Sequence, residues 1–203
     1  MTRVFVLLLG ALAALVFALL LLIVVPSQML REEKPSARLE PYTPVQLRGR
    51  EVYTANGCVY CHTQQVRDSS FTTDVARGWG SRPSVPADYF FDEPHLMGTM
   101  RTGPDLLNVG SRLPDPQWHL VHLYQPRALV PWSIMPAFPF LFEEKATAAP
   151  GERVLSLPKG HVPAGKVVVT TPDADALVAY LLALKRDFPL QAQAKAPPSG
   201  GAK

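Results

Sequence analysis

The sequence predicts a mainly α-helical protein, in which a single N-terminal transmembrane helix precedes one domain of few helices and long loops. An apolar segment over residues 4–25 is long enough to cross a bilayer as a helix. Helix-initiating residues start several later segments, and the 21 prolines indicate long irregular stretches between them. The 20 basic and 17 acidic residues are too balanced to indicate nucleic acid binding.

The apolar segment over residues 4–25 carries no charged side chain, and about 20 apolar residues suffice to span a membrane. A secretory signal peptide has a shorter apolar region and a small-residue cleavage site, which the residues around Pro26 do not provide. An uncleaved anchor is therefore predicted. The predicted order is an anchor, a charged and proline-rich connector, a folded domain and a disordered tail, over residues 1–30, 31–43, 44–190 and 191–203.

The run Cys58-Val59-Tyr60-Cys61-His62 is the attachment signal for a c-type haem. Two intervening residues place both sulfur atoms along one porphyrin edge, where each thiol adds to a vinyl group, and the histidine follows as an axial iron ligand. A redox dithiol and half of a zinc site are the alternatives. The chain has only 2 cysteines, which disfavours zinc, and no βαβ context indicates a thioredoxin-like motif. Covalent haem c is therefore the predicted cofactor.

Local signals predict two helices on either side of a long irregular region. The first covers residues 46–55 and leads to the haem motif, and Asn56 and Gly57 end it because they tolerate left-handed geometry. The second starts at Asp115 as N-cap, with proline in the first turn, and ends before Pro126. Between them, residues 63–114 are broken repeatedly by glycine and proline.

A third helix is predicted after Thr171, where acidic residues suit the helix N-terminus and apolar residues then recur at helical spacing. A helix before the haem motif, one in the middle and an amphipathic one at the end are the layout of a class I cytochrome c. The first and last helices of that fold cross and close the haem pocket. Within an insertion over residues 143–170, the segments 154–157 and 166–169 are predicted to pair as a small hairpin.

A haem that only carries electrons usually has two axial ligands, often histidine and methionine. Met135 is the predicted second ligand because the prolines around it stiffen a loop that cannot be helix or sheet. Met97 and Met100 are the alternatives, and any methionine could instead be a core or surface residue. A histidine in this position would lower the potential, and the candidates are His95, His119, His122 and His161. His119 and His122 lie on a predicted helix, and each is expected to be structural or surface-facing.

The stretch from Thr102 to Leu106 supplies a further prediction. An axial histidine normally donates its second ring N–H to an acceptor that sets its orientation. The backbone carbonyl of Pro104 is the predicted acceptor, and Leu106 is predicted to pack against the haem; an ordinary turn is the alternative. Spacing does not distinguish the arginines that could pair with haem propionates, which are Arg101, Arg112 and Arg127.

Taken in order, these segments resemble the membrane-anchored monohaem cytochrome c subunit, or subunit II, of cbb3-type cytochrome c oxidase, over roughly residues 41–141. The haem motif alone is common to all cytochromes c, whereas the ordered set is far more specific. One departure is Met97, which precedes Gly98 where an aromatic residue is expected. The resemblance is carried by the segments 41–43, 49–53, 57–64, 101–106, 118–119, 122–123, 126–127 and 133–139.

The resemblance implies thioethers at Cys58 and Cys61 and axial ligation by His62 and Met135. It implies an electron-transfer subunit with no catalytic centre or small-molecule substrate site of its own. Such a subunit takes electrons from a c-type cytochrome donor, often another c-haem subunit, and passes them to haem b of the catalytic haem–copper subunit, which reduces oxygen. Because c-type haem is attached outside the bacterial cytoplasm, the predicted location is the inner membrane, with a cytoplasmic N-terminus and a periplasmic haem domain.

Other functions share the same plan of an anchor and one haem. The chain could be the cytochrome c subunit of a nitric oxide reductase or of another respiratory complex. It could also be a free membrane-tethered electron shuttle. A peroxidase-like or gas-sensing haem protein is a further alternative, and it would require an open sixth position in place of ligation by Met135.

Overall fold

A long N-terminal helix opens the computed structural model, which describes residues 2–36 and 38–189. Helix α1 (Thr2–Leu19) continues through a π-helical turn (Leu20–Val24) into α2 (Val25–Arg31). The wider turn directly precedes Pro26, whose ring lacks an N–H and crowds the carbonyl four residues earlier. The helix is long and apolar enough to cross a membrane, and none of its apolar residues is buried in the protein.

The described part of the remaining chain contains four further α-helices and two short strands. The helices are α3 (Pro44–Ala55), α4 (Val109–Arg112), α5 (Pro116–Tyr124) and α6 (Pro172–Ala183), and the strands are β1 (Phe142–Lys145) and β2 (Val167–Thr170). Single 3₁₀ turns cover Cys58–Tyr60, Pro86–Tyr89, Pro126–Ala128 and Pro139–Leu141. The mainly α-helical fold class with one N-terminal apolar helix is confirmed. The predicted disordered tail over residues 191–203 lies outside the described residues.

Side-chain caps begin the three helices that the sequence predicts. The Thr43 side chain accepts a hydrogen bond from the backbone N–H of Gln46, and the backbone N–H of Thr43 donates to the side-chain oxygen of Gln46. This reciprocal pair starts α3 two residues earlier than predicted. Asp115 caps α5 by accepting from the N–H of Gln117 at 2.9 Å. Thr171 caps α6 in the same way.

Helices α3 and α6 pack closely against each other, at a point where α3 carries a glycine. A Cβ atom on Gly49 would lie 1.9 Å from the carbonyl oxygen of Ala176, so only glycine allows this approach. Next to it, the rings of Tyr53 and Tyr180 meet edge to face with centroids 5.5 Å apart. Both rings are almost fully buried. This aromatic pair fixes the crossing of the first and last helices of the domain.

One apolar core joins these helices to α5 and the strands. The core includes residues from all three helices that the sequence predicts. Its buried members are Val52, Tyr53, Val109, Leu120, Val121, Leu123, Tyr124, Leu141, Phe142, Leu155, Val168, Ala174, Leu177, Val178, Tyr180, Leu181 and Leu184. The haem motif directly follows α3, so the core holds one wall of the site in place.

The two strands pair differently from the predicted hairpin. β2 is antiparallel to β1, with Phe142 opposite Thr170, whereas the predicted partner segment contributes only an isolated bridge from Val154 to Val169. The sequence did not predict β1 as a strand, because its one core residue, Phe142, is followed by three charged side chains. A strand with a single buried position lacks the alternation that identifies half-buried strands.

The proline- and glycine-rich region is ordered by buried charge rather than by regular structure. Arg82 binds both carboxylate oxygens of Asp88, at 2.8 and 2.7 Å, and Asp88 is fully buried. The same guanidinium donates to the backbone carbonyls of Arg186 and Phe188, at 2.9 and 3.0 Å. These bonds connect the loop to the segment that follows α6. Local sequence patterns could not predict this connection, because its partners are distant in sequence.

The Gly49→Ala variant tests the helix crossing. Its methyl group would overlap the Ala176 carbonyl, so α3 and α6 must separate, and we expect the free energy of unfolding to fall by about 3 kcal/mol. Chemical denaturation followed by circular dichroism measures this loss. Gly10→Ala is the matched control, since a Cβ there would have no neighbour within 4 Å among the described residues outside its own helix backbone. Equal stability of both variants would contradict the close crossing.

Candidate haem-binding site

The end of α3 folds the cysteine pair into a tight turn. Asn56 is the C-cap, and Gly57 has a φ of 68°, a left-handed conformation that glycine adopts without strain. The backbone N–H of His62 then donates to the carbonyl of Cys58 at 3.0 Å, across one turn of 3₁₀ helix. Neither cysteine forms a disulfide within the described chain. Burial raises the pKa of the Cys58 thiol to about 11, so it is protonated at neutral pH.

The imidazole of His62 is held by one hydrogen bond, as its Nδ1 lies 2.7 Å from the carbonyl oxygen of Pro104. A backbone carbonyl only accepts, so Nδ1 carries the proton and the lone pair is on Nε2. Burial lowers the pKa of His62, and the bond to Pro104 opposes that shift. The result is a neutral imidazole with Nε2 as its metal-binding atom, the form that iron ligation requires.

A glycine beneath the imidazole makes this contact possible. A Cβ on Gly103 would lie 2.2 Å from Cε1 of His62 and would push the ring away from Pro104. The N–H of Gly103 also donates to the carbonyl of Cys61 at 2.9 Å, so the two segments are joined by their backbones. Gly98 approaches from another direction, where a Cβ would lie 2.5 Å from the carbonyl oxygen of His62.

Asp105 binds the segment after His62 with a fully buried carboxylate. It accepts from the Thr63 hydroxyl at 2.5 Å and from the backbone N–H groups of Gln65 and Leu107 at 2.7 and 2.9 Å. The N–H of Leu106 donates to the carbonyl of Thr63 at 2.8 Å. No role was predicted for Asp105, although its place directly after Pro104 is the signal that could have indicated one.

Arg101 completes this network and is one of the three predicted propionate partners. Its Nε donates to the Thr63 hydroxyl at 2.9 Å, a terminal nitrogen donates to the Gln65 carbonyl at 2.6 Å, and the other binds Asp74. The guanidinium also lies over the ring of Trp79, 5.3 Å from its centroid. Each of its three nitrogen atoms therefore donates to a group of the described chain.

Met135 lies in the stiff loop, partly buried, and packs against the main apolar core. Cys58 and Leu106 contact the same core, so the structure brings these three predicted site residues to one cluster. The loop is anchored by the N–H of Phe138, which donates to the carbonyl of Leu123 at 2.8 Å. The alternative ligands Met97 and Met100 are 37% and 58% exposed.

Two of the candidate histidines lie on α5 and have different surroundings. His119 is buried, and its Nε2 lies 2.8 Å from the carbonyl of Leu113, as expected of a structural residue. The ring of His122 stacks on Trp118, with centroids 4.7 Å apart and planes 12° apart. Its Nδ1 is buried without a hydrogen-bond partner among the described residues. Burial lowers the pKa of His122 to about 4, so its imidazole is neutral at pH 7.

The residues present fit a covalent haem. Two cysteines separated by two residues follow the end of a helix, and an imidazole oriented through its Nδ1 comes directly after them. Gly103 leaves the space that this ring needs. The model of one protein family, described as cytochrome c oxidase, mono-heme subunit/FixO, matches residues 1–166.

The chain belongs to this family. FixO proteins are monohaem cytochrome c subunits of cbb3-type oxidases, so the resemblance stated from the sequence is confirmed. The match includes the apolar N-terminal helix, both cysteines and the loop of Met135, and it ends before α6. A search of curated proteins finds no match.

The Asp105→Ala variant tests how far the buried carboxylate holds the site together. It removes the acceptor of three hydrogen bonds, and we expect a loss of about 3 kcal/mol in the free energy of unfolding. Urea denaturation measures that loss. Asp68→Ala is the control, because Asp68 is exposed and its side chain bonds, among the described residues, only to Ser70. A loss no larger than that of the control would contradict the role given to Asp105.

Proposed function

We propose that this FixO chain binds one haem c and relays single electrons within a cbb3-type oxidase. The observation that carries the proposal is the hydrogen bond from His62 to Pro104, which orients a neutral imidazole directly after the cysteine pair. Cys58 and Cys61 would form the thioethers, and His62 and Met135 would be the axial ligands. The bound haem would supply a one-electron iron couple.

The chain's own residues would keep the ligand geometry the same in both oxidation states. Pro104 holds the imidazole, and Asp105 holds the segment that follows it. Leu106 and Met135 pack on the core, and they would exclude water from the haem face. Ligands that are already oriented need little rearrangement when an electron arrives or leaves. This rigidity suits electron transfer better than chemistry at an open iron position.

The family assignment supports a catalytic haem–copper subunit as partner. We infer that electrons come from a c-type cytochrome donor or a further c-haem subunit and pass to haem b of that subunit, where oxygen is reduced. The apolar helix would dock the chain in the bacterial inner membrane, with its N-terminus in the cytoplasm and residues 31–203 in the periplasm. No intramembrane charge lies between residues 4 and 25, so the helix is suited to packing and not to proton transfer.

The composition of the purified complex tests this assignment. The complex is isolated in mild detergent through a tag on the chain, and its haems and copper are measured. Haem c together with haem b and copper is the expected result. Haem b and c with non-haem iron and no copper would indicate a nitric oxide reductase, and haem c alone would indicate a tethered shuttle.

The Met135→Leu variant tests the sixth ligand. Loss of the thioether would abolish the weak sulfur-to-iron charge-transfer band of the oxidised protein and lower the haem potential, because a thioether favours the ferrous state. Covalent haem would remain, since neither cysteine is changed. Absorption spectroscopy and a redox titration of the full chain measure both effects. Met97→Leu and Met100→Leu are the controls, and loss of the band in either control alone would assign the ligand to that residue.

A further inference from the structure

A pocket of about 280 Å³ lies between the connector that follows the anchor, the first turn of α3 and the end of α6. Three basic residues line it, Arg38, Lys185 and Arg186, together with one acidic residue, Glu40. None of these three cations forms an ion pair with a carboxylate in the described part of the chain. The pocket is therefore a concave surface with an excess of positive charge.

Arg186 is the buried part of this charge, since only 5% of its surface is exposed. Its guanidinium donates to neutral oxygen atoms at 3.0 to 3.3 Å, which belong to the backbones of Asp88, Ala183 and Lys185 and to the Tyr42 hydroxyl. Neutral acceptors hold the guanidinium in place, but they do not cancel its charge. The orientation of this cation is thus fixed by the fold before any ligand arrives.

Arg186 shares one buried carboxylate with another arginine. Asp92 accepts a hydrogen bond from the Tyr42 hydroxyl at 3.0 Å, and Arg186 donates to that same hydroxyl. Asp92 also pairs with Arg50, whose Nε lies 3.7 Å from a carboxylate oxygen. Two guanidinium charges are therefore set against one carboxylate in this cluster. The remaining positive charge beside the pocket would be stabilised by an anion from outside the chain.

The start of α3 adds a further feature to the pocket. Gln46, in the first turn, lines it, and the helix N-terminus contributes partial positive charge. The residues on either side of Gln46, Val45 and Leu47, are apolar and 57% and 47% exposed. Basic groups next to exposed apolar side chains are the combination by which proteins bind the interface of an anionic bilayer.

The pocket also lies within reach of the membrane along the chain. The apolar helix ends at Arg31, and Arg38 follows it seven residues later. An extended chain of that length spans at most about 25 Å. A turn shortens this distance, because the N–H of Leu39 donates to the carbonyl of Ser36 at 2.9 Å. The anions at this boundary are the phosphate groups of phospholipids.

We propose that this pocket binds the phosphate group of an anionic phospholipid, with Arg38 and Lys185 as exposed partners and Arg186 as the buried one. Guanidinium and ammonium groups bind phosphate oxygens through charge-assisted hydrogen bonds. A phosphatidylcholine headgroup suits the pocket less well, because its own ammonium would be repelled by the three cations. A lipid bound here would hold the domain close to the membrane surface, and its binding requires no haem.

Native mass spectrometry of the full chain in detergent, titrated with dioctanoyl phosphatidylglycerol, counts bound lipid and tests the proposal. Arg38→Gln and Lys185→Gln should each weaken binding about fivefold, because each removes one charge that attracts the lipid. Lys159→Gln is the matched control, since Lys159 is exposed and does not line the pocket. Equal weakening in the control, or unchanged binding in both pocket variants, would overturn the proposal.

A variant of opposite sign separates lost binding from lost folding. Glu40→Gln removes the acidic group from the lining of the pocket, so phosphatidylglycerol should bind about fivefold more tightly. A misfolded chain would not gain affinity. Unchanged or weaker binding by Glu40→Gln would contradict the proposed site.

Two further comparisons identify the source of the phosphate. Dioctanoyl phosphatidylcholine and inorganic phosphate should both bind more weakly than phosphatidylglycerol. Inorganic phosphate that binds equally well would assign the pocket to a soluble anion and refute the lipid. If Arg38→Gln and Lys185→Gln release the catalytic subunit from the purified complex while lipid binding is unchanged, the pocket is a protein contact and the proposal is wrong.

Discussion

The hydrogen bond between Nδ1 of His62 and the carbonyl of Pro104 is the contact on which the site depends. It joins residues 42 positions apart and sets the tautomer, because a carbonyl can only accept. Gly103 is required for it, since any side chain at that position would overlap the imidazole. The orientation of Nε2, and with it the direction from which a haem could be bound, follows from this bond.

Buried charges hold the rest of a loop-rich domain in one conformation. Asp105 joins the segment after His62 to the segment after Pro104, and Arg101 connects both to Asp74. Arg82 and Asp88 tie the neighbouring loop to the end of α6. In each pair the carboxylate is buried and the arginine is partly buried, so loss of the arginine would leave a buried charge uncompensated. This arrangement gives rigidity to a region where glycine and proline prevent long helices, and a rigid site suits a haem that exchanges electrons.

Helix starts were predicted well because their signals are local. Asp115 and Thr171 are caps that act within three residues, and the structure uses both. The predicted hairpin forms only in part, as the bridge from Val154 to Val169. The main partner of β2 is β1, which was not predicted because it has one core residue and pairs with chain that is distant in sequence. The role of Asp105 was missed for the same reason. Its partners Thr63 and Gln65 are 42 and 40 residues away.

The haem attachment motif, the apolar anchor and the family could be predicted before the fold was known, because these depend on residue type and spacing along a short stretch. Only the tertiary structure distinguished Arg112 from Arg101 and Arg127. All three carry the same charge, and each is one of many arginines in the sequence. Folding pairs Arg101 with Asp74, leaves Arg127 in solvent, and buries Nε of Arg112 without a partner in the described chain. Burial and pairing arise from contacts between distant segments, which spacing along the chain does not encode.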